Sequence, residues 1–373
     1  MILIKIFQFI ILYIVSFFLR YFIGINKKIL LFSTQGGRTY EGNAKYLFIY
    51  FSLYTDYECI WITKNKNINN QINNEGFKSL YFFSWEPLIL SLKANCIFIT
   101  HSLSDVMPVF YNKKSIIINI WHAIPIKHIS FLDKNLNYKA RVLDFWRDKR
   151  CNFFISNSQR FNDYYLKSFK INKKKLIVGG LPRIDFLKNP IIFINNLQNP
   201  FQKNKTVYLY APTFRDYPYN NPFYKSKFLI TLEKYLNENN ALLYIKNHPF
   251  DTSIPDLNQY LNMQFLGNLI DIYELLPFVD KIICDYSSII YDFKIAYPEK
   301  DIYLFCPDME KYEKKRGFVN SFREFYNNET VPYLQKLRKV NKQSTFFSNE
   351  NIYSNKNLSC ETIIKLINKN IQK

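Results

Sequence analysis

Only 4 of the 373 residues are histidine, and two of them stand where chemistry is expected. His122 lies in Ile120-Trp121-His122-Ala123-Ile124-Pro125-Ile126-Lys127-His128, just beyond an apolar run that reads as a strand. An imidazole titrates near neutrality and suits removal of a proton from a hydroxyl. Lys127 places a cation five residues further on. The competing reading is a packed structural histidine. His248 lies in Ile245-Lys246-Asn247-His248-Pro249, a segment of the same form, in which Lys246 and His248 could both reach a pyrophosphate.

Four further clusters also follow apolar runs. Ser33-Thr34-Gln35-Gly36-Gly37-Arg38 carries two glycines that let backbone approach a ligand, with Gly36 the candidate contact, but it lacks a full phosphate-loop signature. Tyr210-Ala211-Pro212-Thr213-Phe214-Arg215 ends in Arg215, whose planar fork matches phosphate oxygens. Asp285-Tyr286-Ser287-Ser288 precedes a helical pattern, so Ser287 and Ser288 would cap it beside free N–H groups and the positive dipole end, a natural phosphate cradle. The last cluster, Asp308 to Gly317, contributes Arg316. A plain strand-to-helix turn, ordinary helix capping or a surface loop explains each cluster taken singly. Together they gather cations, histidines and a serine-capped helix at strand ends in both halves of the chain, the layout for transfer of a phosphorylated group.

The elements that must hold these clusters are legible as alternating patterns. Strands are expected at Ile29–Phe32, Cys59–Ile62, Cys96–Ile99, Ile116–Ile120, Asn152–Ile155 and Leu176–Val178, then at Val207–Tyr210, Leu242–Ile245, Ile282–Cys284 and Ile302–Phe305. Helices are expected at Asn43–Leu53, Arg160–Phe169, Phe228–Asn237 and Ile289–Ala296. Continuous apolar strands separated by helices indicate parallel sheets covered on both faces, with ligands outside the carboxyl ends of the strands. The Asn-rich stretch 189–205, with Pro190 and Pro200, reads as a linker. The expected organisation is an N-terminal hydrophobic helix (1–25), an α/β domain (26–188), the linker, a second α/β domain (206–345) and a helical tail (346–373).

Composition bounds the class. Hydrophobic residues make up 48% and charged residues 21%, so most of the chain should fold. The formal net charge is +20, carried by 50 Lys and Arg, and points to an anionic partner or surface unless it reflects compositional drift. The basic residues are spread rather than blocked and no nucleic-acid module is present, so nucleic acid is not an expected partner. Six scattered cysteines without a CxxC pair argue against a disulfide framework and a zinc site. No carboxylate cluster has metal-ligand spacing, so a divalent metal is neither required nor excluded. Ile6 to Leu19 carries no charge between Lys5 and Arg20, shorter than the about 20 residues of a full span. An interfacial helix, a single span and a buried helix all remain open, and no small-residue cleavage site follows.

The order and spelling of the clusters resemble the CDP-glycerol glycerophosphotransferase family, which builds teichoic acids and related capsule polymers. The similarity runs from about Ile29 to Phe318. Trp121, His122, Pro125 and Lys127 match a Trp-His-Gly pattern with following Pro and Lys, and Gly180-Leu181-Pro182-Arg183-Ile184-Asp185 matches Gly-x-Pro-Arg-x-Asp. Pro212–Arg215, His248–Pro249, Asp285–Ser288 and Arg316–Phe318 complete six ordered matches. The resemblance implies a GT-B-like fold, with acceptor on the first domain and a CDP-linked donor on the second. It makes His122 the general base, with His248, Arg215, Ser287 and Ser288 holding the pyrophosphate, and it adds Arg183 to the candidate binding residues. No cofactor is implied beyond the donor, CDP-glycerol. The acceptor would be lipid-linked or polymeric and phosphate-containing, met at the cytoplasmic face of an anionic membrane by a peripheral or monotopic enzyme.

Ala123 stands where the family has Gly, and Asn320 where members often carry an acidic residue; both bear on donor or acceptor identity. Little room is left for an extra amino-terminal domain, so a minimal primase-type or short capsule-type member is expected, with a polymerase that works alongside a separate partner as the alternative. CDP-ribitol transfer, nucleotide-sugar transfer on the same fold, and non-catalytic binding of an anionic polymer are the competing readings.

Overall fold

The computed structural model describes residues 14–15, 17–106, 111–133, 150–248, 251, 255–267, 270–319, 322–347, 353 and 357–371. The chain divides into two compact units that are not collinear with the sequence. The first takes Met1–His122, Asn137–Asn195 and Tyr353–Lys373; the second takes Ala123–Leu136 and Asn196–Ile352. One crossing falls inside the expected 189–205 linker. The others were not foreseen: the segment after His122 joins the second unit, and the C-terminal tail returns to the first.

In the first unit, β-branched and aromatic runs form seven parallel strands: β1 (Asn26–Phe32), β2 (Glu58–Thr63), β3 (Ser79–Tyr81), β4 (Ala94–Ile99), β5 (Ile116–Asn119), β6 (Phe153–Ser156) and β7 (Leu176–Val178). They are ordered β3-β2-β1-β4-β5-β6-β7. Leu30 pairs with Cys59 on one side and Cys96 on the other, so chain order reverses at β1. Every residue of β4 is buried, as a strand covered on both faces requires. One face packs Ile29, Leu31, Ile60, Ile62, Ile97 and Ile99 together. The other stacks Phe32 on Phe98, with Phe48 and Phe51 of the helix Gly42–Tyr54 edge-on to Phe32. Each such side chain, fully buried, contributes about 1.5–3 kcal/mol.

The second unit repeats the plan with β8 (Thr206–Ala211), β9 (Ala241–Ile245), β10 (Met263–Phe265), β11 (Lys281–Cys284) and β12 (Asp301–Leu304), then an antiparallel edge hairpin of β13 (Thr330–Pro332) and β14 (Arg338–Val340). The order is β10-β9-β8-β11-β12-β14-β13. Both sheets are therefore doubly wound in the Rossmann manner, with switch points at β1/β4 and β8/β11. Tyr208, Tyr210, Phe223, Phe228, Leu232 and Leu236 build the core beneath the helix Ser226–Glu238.

The C-terminal helix Ser359–Ile371 is tied to the first unit by Asp185. Its carboxylate accepts from Ser359 Oγ at 3.0 Å and from the Cys360 amide at 2.9 Å. The Asp of the Gly-x-Pro-Arg-x-Asp element thus caps a helix. All six cysteines are buried thiols. The long apolar helix expected over 1–25 is not found among the described residues, which begin at 14; there, 17–22 is helical. No helix among the described residues is long and apolar enough to cross a membrane.

Candidate active site

In the first unit the loops after β1, β4 and β5 meet at the switch point. Trp121 has a positive φ of 45°, a conformation costly for a bulky side chain. Two buried asparagines hold it there: Asn119 accepts from the Trp121 amide at 2.9 Å, and Asn43 donates to the carbonyls of Ile120 and Trp121. The turn brings His122 to an exposed position. Arg183 donates from Nη1 to the His122 carbonyl at 2.9 Å, and its amide donates to Asn43 Oδ1. At 0% exposure Arg183 supports this loop and offers no open face to a ligand, a different place from the one expected of it. Gly36 likewise differs from expectation: its amide is taken by Asp105 Oδ1 at 2.7 Å.

His101, which sequence reasoning passed over, lies flat against His122. Their rings are 4.0 Å apart between centroids and 3° from parallel. Thr100 Oγ1 sits 2.8 Å from His101 Nδ1, and the buried Asp105 accepts from the amides of Thr100 and His101 at 2.9 Å each. The signal was present in the sequence, since His101 follows the run Cys96–Ile99 just as His122 follows its own.

The second unit's switch point is built from charge. Arg215 donates to Asp285 from Nη2 at 2.9 Å and to Asp308 from Nε and Nη2 at 2.9 and 3.0 Å. Tyr219, Tyr286 and Tyr312 lie 4.8–4.9 Å from its guanidinium carbon. Burial opposes the Arg215 charge, but Asp285 and then Asp308 outweigh it and keep the guanidinium protonated. Although burial pushes the other way, hydrogen bonding from Arg215 draws the Asp308 carboxyl below its usual range. The fork expected to grip phosphate is thus committed to two carboxylates, because at 3% side-chain exposure its charge must be neutralised from within.

Lys127 belongs to this unit, apart from the unit that carries His122. Its segment bridges to the chain after the helix Met309–Arg316, with Lys127 paired to Phe318 and the Val319 amide on the Ile126 carbonyl. Gly317 makes the approach possible: φ is 70°, and a Cβ there would lie 2.7 Å from the His128 ring. Burial, and then Arg316, lower the Lys127 pKa to about 8. Arg316 itself bridges Asp133 and Asp216, at 2.7 Å each.

Burial, followed by Lys127 and Lys246, lowers the His248 pKa to about 4. His248 is therefore neutral at physiological pH and can act by hydrogen bonding but not by charge. Lys246 is buried at the end of β9. The Pro249 of this motif lies outside the described residues, as does Asn320. Ser288 leads into the helix Ile289–Ala296, and Ser287 Oγ accepts from the Ile289 amide at 3.4 Å. Asp285 holds the preceding turn by accepting from the amides of Thr213 and Tyr286. A cavity of about 180 Å³ opens beside these elements, lined by Thr213, Phe214, Tyr217, Tyr219, Tyr224 and Asp251 among others. The Thr213 hydroxyl is buried without a hydrogen-bond partner among the described residues. No group of three or more His, Cys, Asp or Glu among the described residues could hold a metal ion.

Two doubly wound units, one presenting an imidazole at a strand end and the other a buried arginine held by two aspartates, make up the framework of an α/β transferase. The family follows from comparison. The chain belongs to the CDP-Glycerol:Poly(glycerophosphate) glycerophosphotransferase family, whose model matches residues 13–350. It is 25% identical over 350 residues to a teichoic acid poly(glycerol phosphate) polymerase of Bacillus spizizenii, covering 88% of this chain and 87% of that one. It is also 25% identical over 355 residues to the polymerase of the same name from Staphylococcus epidermidis, covering 86% of this chain but only 47% of that protein's length. Among solved structures, the wall teichoic acid polymerase TagF superposes with a TM-score of 0.73 at 22% identity, covering 93% of this chain and 90% of the other.

Proposed function

We propose that the chain transfers glycerol phosphate from CDP-glycerol to a hydroxyl of a lipid-linked or polymeric acceptor, releasing CMP, in the synthesis of a teichoic-acid-like or capsule polymer. The labour divides in the GT-B manner, with the acceptor handled by the first unit and the donor by the second. The observation that carries this reading is the pair of unlike switch points: an exposed imidazole on a braced turn in one unit, and a network of cations paired with buried carboxylates in the other.

His122 takes the proton of the acceptor hydroxyl. The oxygen attacks the glycerol-linked phosphorus, the bond from that phosphorus to the bridging oxygen breaks, and CMP leaves with the electron pair. Lys127 and Arg316 supply positive charge to the pyrophosphate, the Ser287 and Ser288 hydroxyls supply O–H donors, and neutral His248 supplies a hydrogen bond; each interaction strengthens as charge moves onto the leaving group. Arg183, Arg215 and Asp285 position rather than bind. The cavity beside Thr213 receives part of the donor.

The enzyme works as a peripheral protein on an anionic membrane. The support is a cluster of exposed apolar side chains at Phe17, Phe18, Tyr21 and Phe22 beside Arg20, in a chain of net charge +20. The activity is tested by CMP release from purified protein given CDP-glycerol, CDP-ribitol or nucleotide sugars, with oligomeric glycerol phosphate as acceptor. Acceptor-dependent release from CDP-glycerol supports the reading, and release from another donor alone replaces glycerol in it. Silence with every donor, alongside tight polymer binding, would favour a non-catalytic role.

A further inference from the structure

We infer that His101 is the positioning partner of His122, fixing the plane of that ring and confining the stacked pair to a single proton. The inference rests on the reading of His122 as the base. It starts from geometry that an isolated catalytic histidine would not need: two imidazoles face to face at 4.0 Å and 3°.

An exposed imidazole on a loop has two rotatable bonds, and a base must hold its nitrogen within hydrogen-bond reach of the hydroxyl it serves. His122 Nδ1 lies 3.5 Å from the Thr100 carbonyl. The flat contact with His101 sets the plane of the His122 ring. His101 is itself fixed through the backbone: Asp105, fully buried, accepts from its amide and from that of Thr100, and also from Gly36. Thr100 Oγ1 bonds both His101 Nδ1 and Thr34 Oγ1, so the loops after β1 and β4 brace the ring together. The Trp121 ring leans on His122 at 4.1 Å and on His101 at 6.1 Å.

Charged groups grip the backbone of the loops that carry the pair. They are the Asp105 carboxylate, the Lys64 ammonium on the carbonyls of Gly36 and Ser104, and the Arg183 guanidinium on the His122 carbonyl, with Arg38 beyond Lys64. Two imidazolium charges at this separation repel strongly enough to split their protonation steps by about one to three pH units. While the pair holds one proton, one ring stays neutral, so His122 keeps a share of its base form at pH values where a lone histidine would be protonated. When His122 takes the acceptor's proton, a neutral His101 offers its π face to the new cation.

The test is a histidine-labelled NMR titration of the full chain, whose four histidines keep the spectrum simple, in wild type, His101→Ala and His101→Phe. The expected wild-type result is two coupled steps, each moving both ring signals, with His122 collapsing to a single step in both variants. In acceptor-dependent CMP release, His101→Ala is expected to lose about 10- to 100-fold in kcat through misplacement of the base, with the KM for CDP-glycerol unchanged. His101→Phe restores most of that loss, because its flat ring re-forms the stack, but its acid limb moves to higher pH. Independent titration of the two rings, or an unchanged kcat in His101→Ala, overturns the inference. Should wild type release no CMP from CDP-glycerol, the proposed reaction falls while the titration still decides the pairing.

Discussion

The two switch points of this chain share a topology and differ in how they hold a carboxylate. At β1/β4, Asp105 is buried and satisfied by neutral amides, and the network leads outward to an exposed imidazole. At β8/β11, Asp285 and Asp308 are held by the Arg215 guanidinium, and the surrounding cations are pushed toward neutrality by burial. The difference suits the two tasks proposed for these sites. A base needs precise orientation, which the hydrogen bonds of the loop backbone supply. A pyrophosphate needs fixed donors in a water-poor site, and the internal ion pairs hold the loops that carry such donors rigid.

The largest expected effect lies at the first switch point. His122→Ala should lower kcat by about 10²–10⁴-fold, the range for loss of a general base, with little change in affinity for CDP-glycerol. At the second, the matching change is to stability: Arg215→Ala leaves two buried carboxylates facing one another and should cost about 3–5 kcal/mol in chemical denaturation. Asp105→Asn, which disturbs only neutral donors, should cost about 1–3 kcal/mol by the same measurement. If the two costs came out equal, the contrast between the sites would fail. Gly317→Ala should cost about 1–3 kcal/mol from its left-handed backbone and its closeness to His128.

The mildest prediction concerns pH. Lys127, with its pKa lowered to about 8, is charged below that value and neutral above it. The kcat/KM for CDP-glycerol should therefore fall as pH rises past about 8, and Lys127→Arg should carry the charge, and the limb, to higher pH. His248, lowered to about 4, stays neutral above that value and should leave no inflection near neutrality.

Much of this was legible before the structure. The apolar runs Ile29–Phe32 and Ile282–Cys284 announced central parallel strands because both faces of such strands are buried. Strands β3, β10, β13 and β14 were missed, since three residues such as Ser79–Tyr81 are too few to show a period. The helix Lys66–Asn74 was hidden by its Asn-rich composition, although Asn65 caps it by accepting from the Asn67 and Ile68 amides. At the site, residue types were informative and their partners were not. Arg215 and Arg183 carry the donors a phosphate would use, but whether such a fork meets a ligand, a carboxylate or a carbonyl depends on contacts distant in sequence: Asp308 is 93 residues from Arg215, and His122 is 61 from Arg183. Lys127 follows His122 by only five positions, yet the chain passes from one unit to the other just after His122.

The central claim is that chemistry and donor binding reside on different switch points. The most direct test compares wild type with His122→Ala in two assays on the same folded protein: acceptor-dependent CMP release, and calorimetric binding of CDP-glycerol without acceptor. The variant is expected to lose turnover by at least about 10²-fold and to bind the donor as wild type does. Retained turnover, or loss of donor binding in step with turnover, would contradict it.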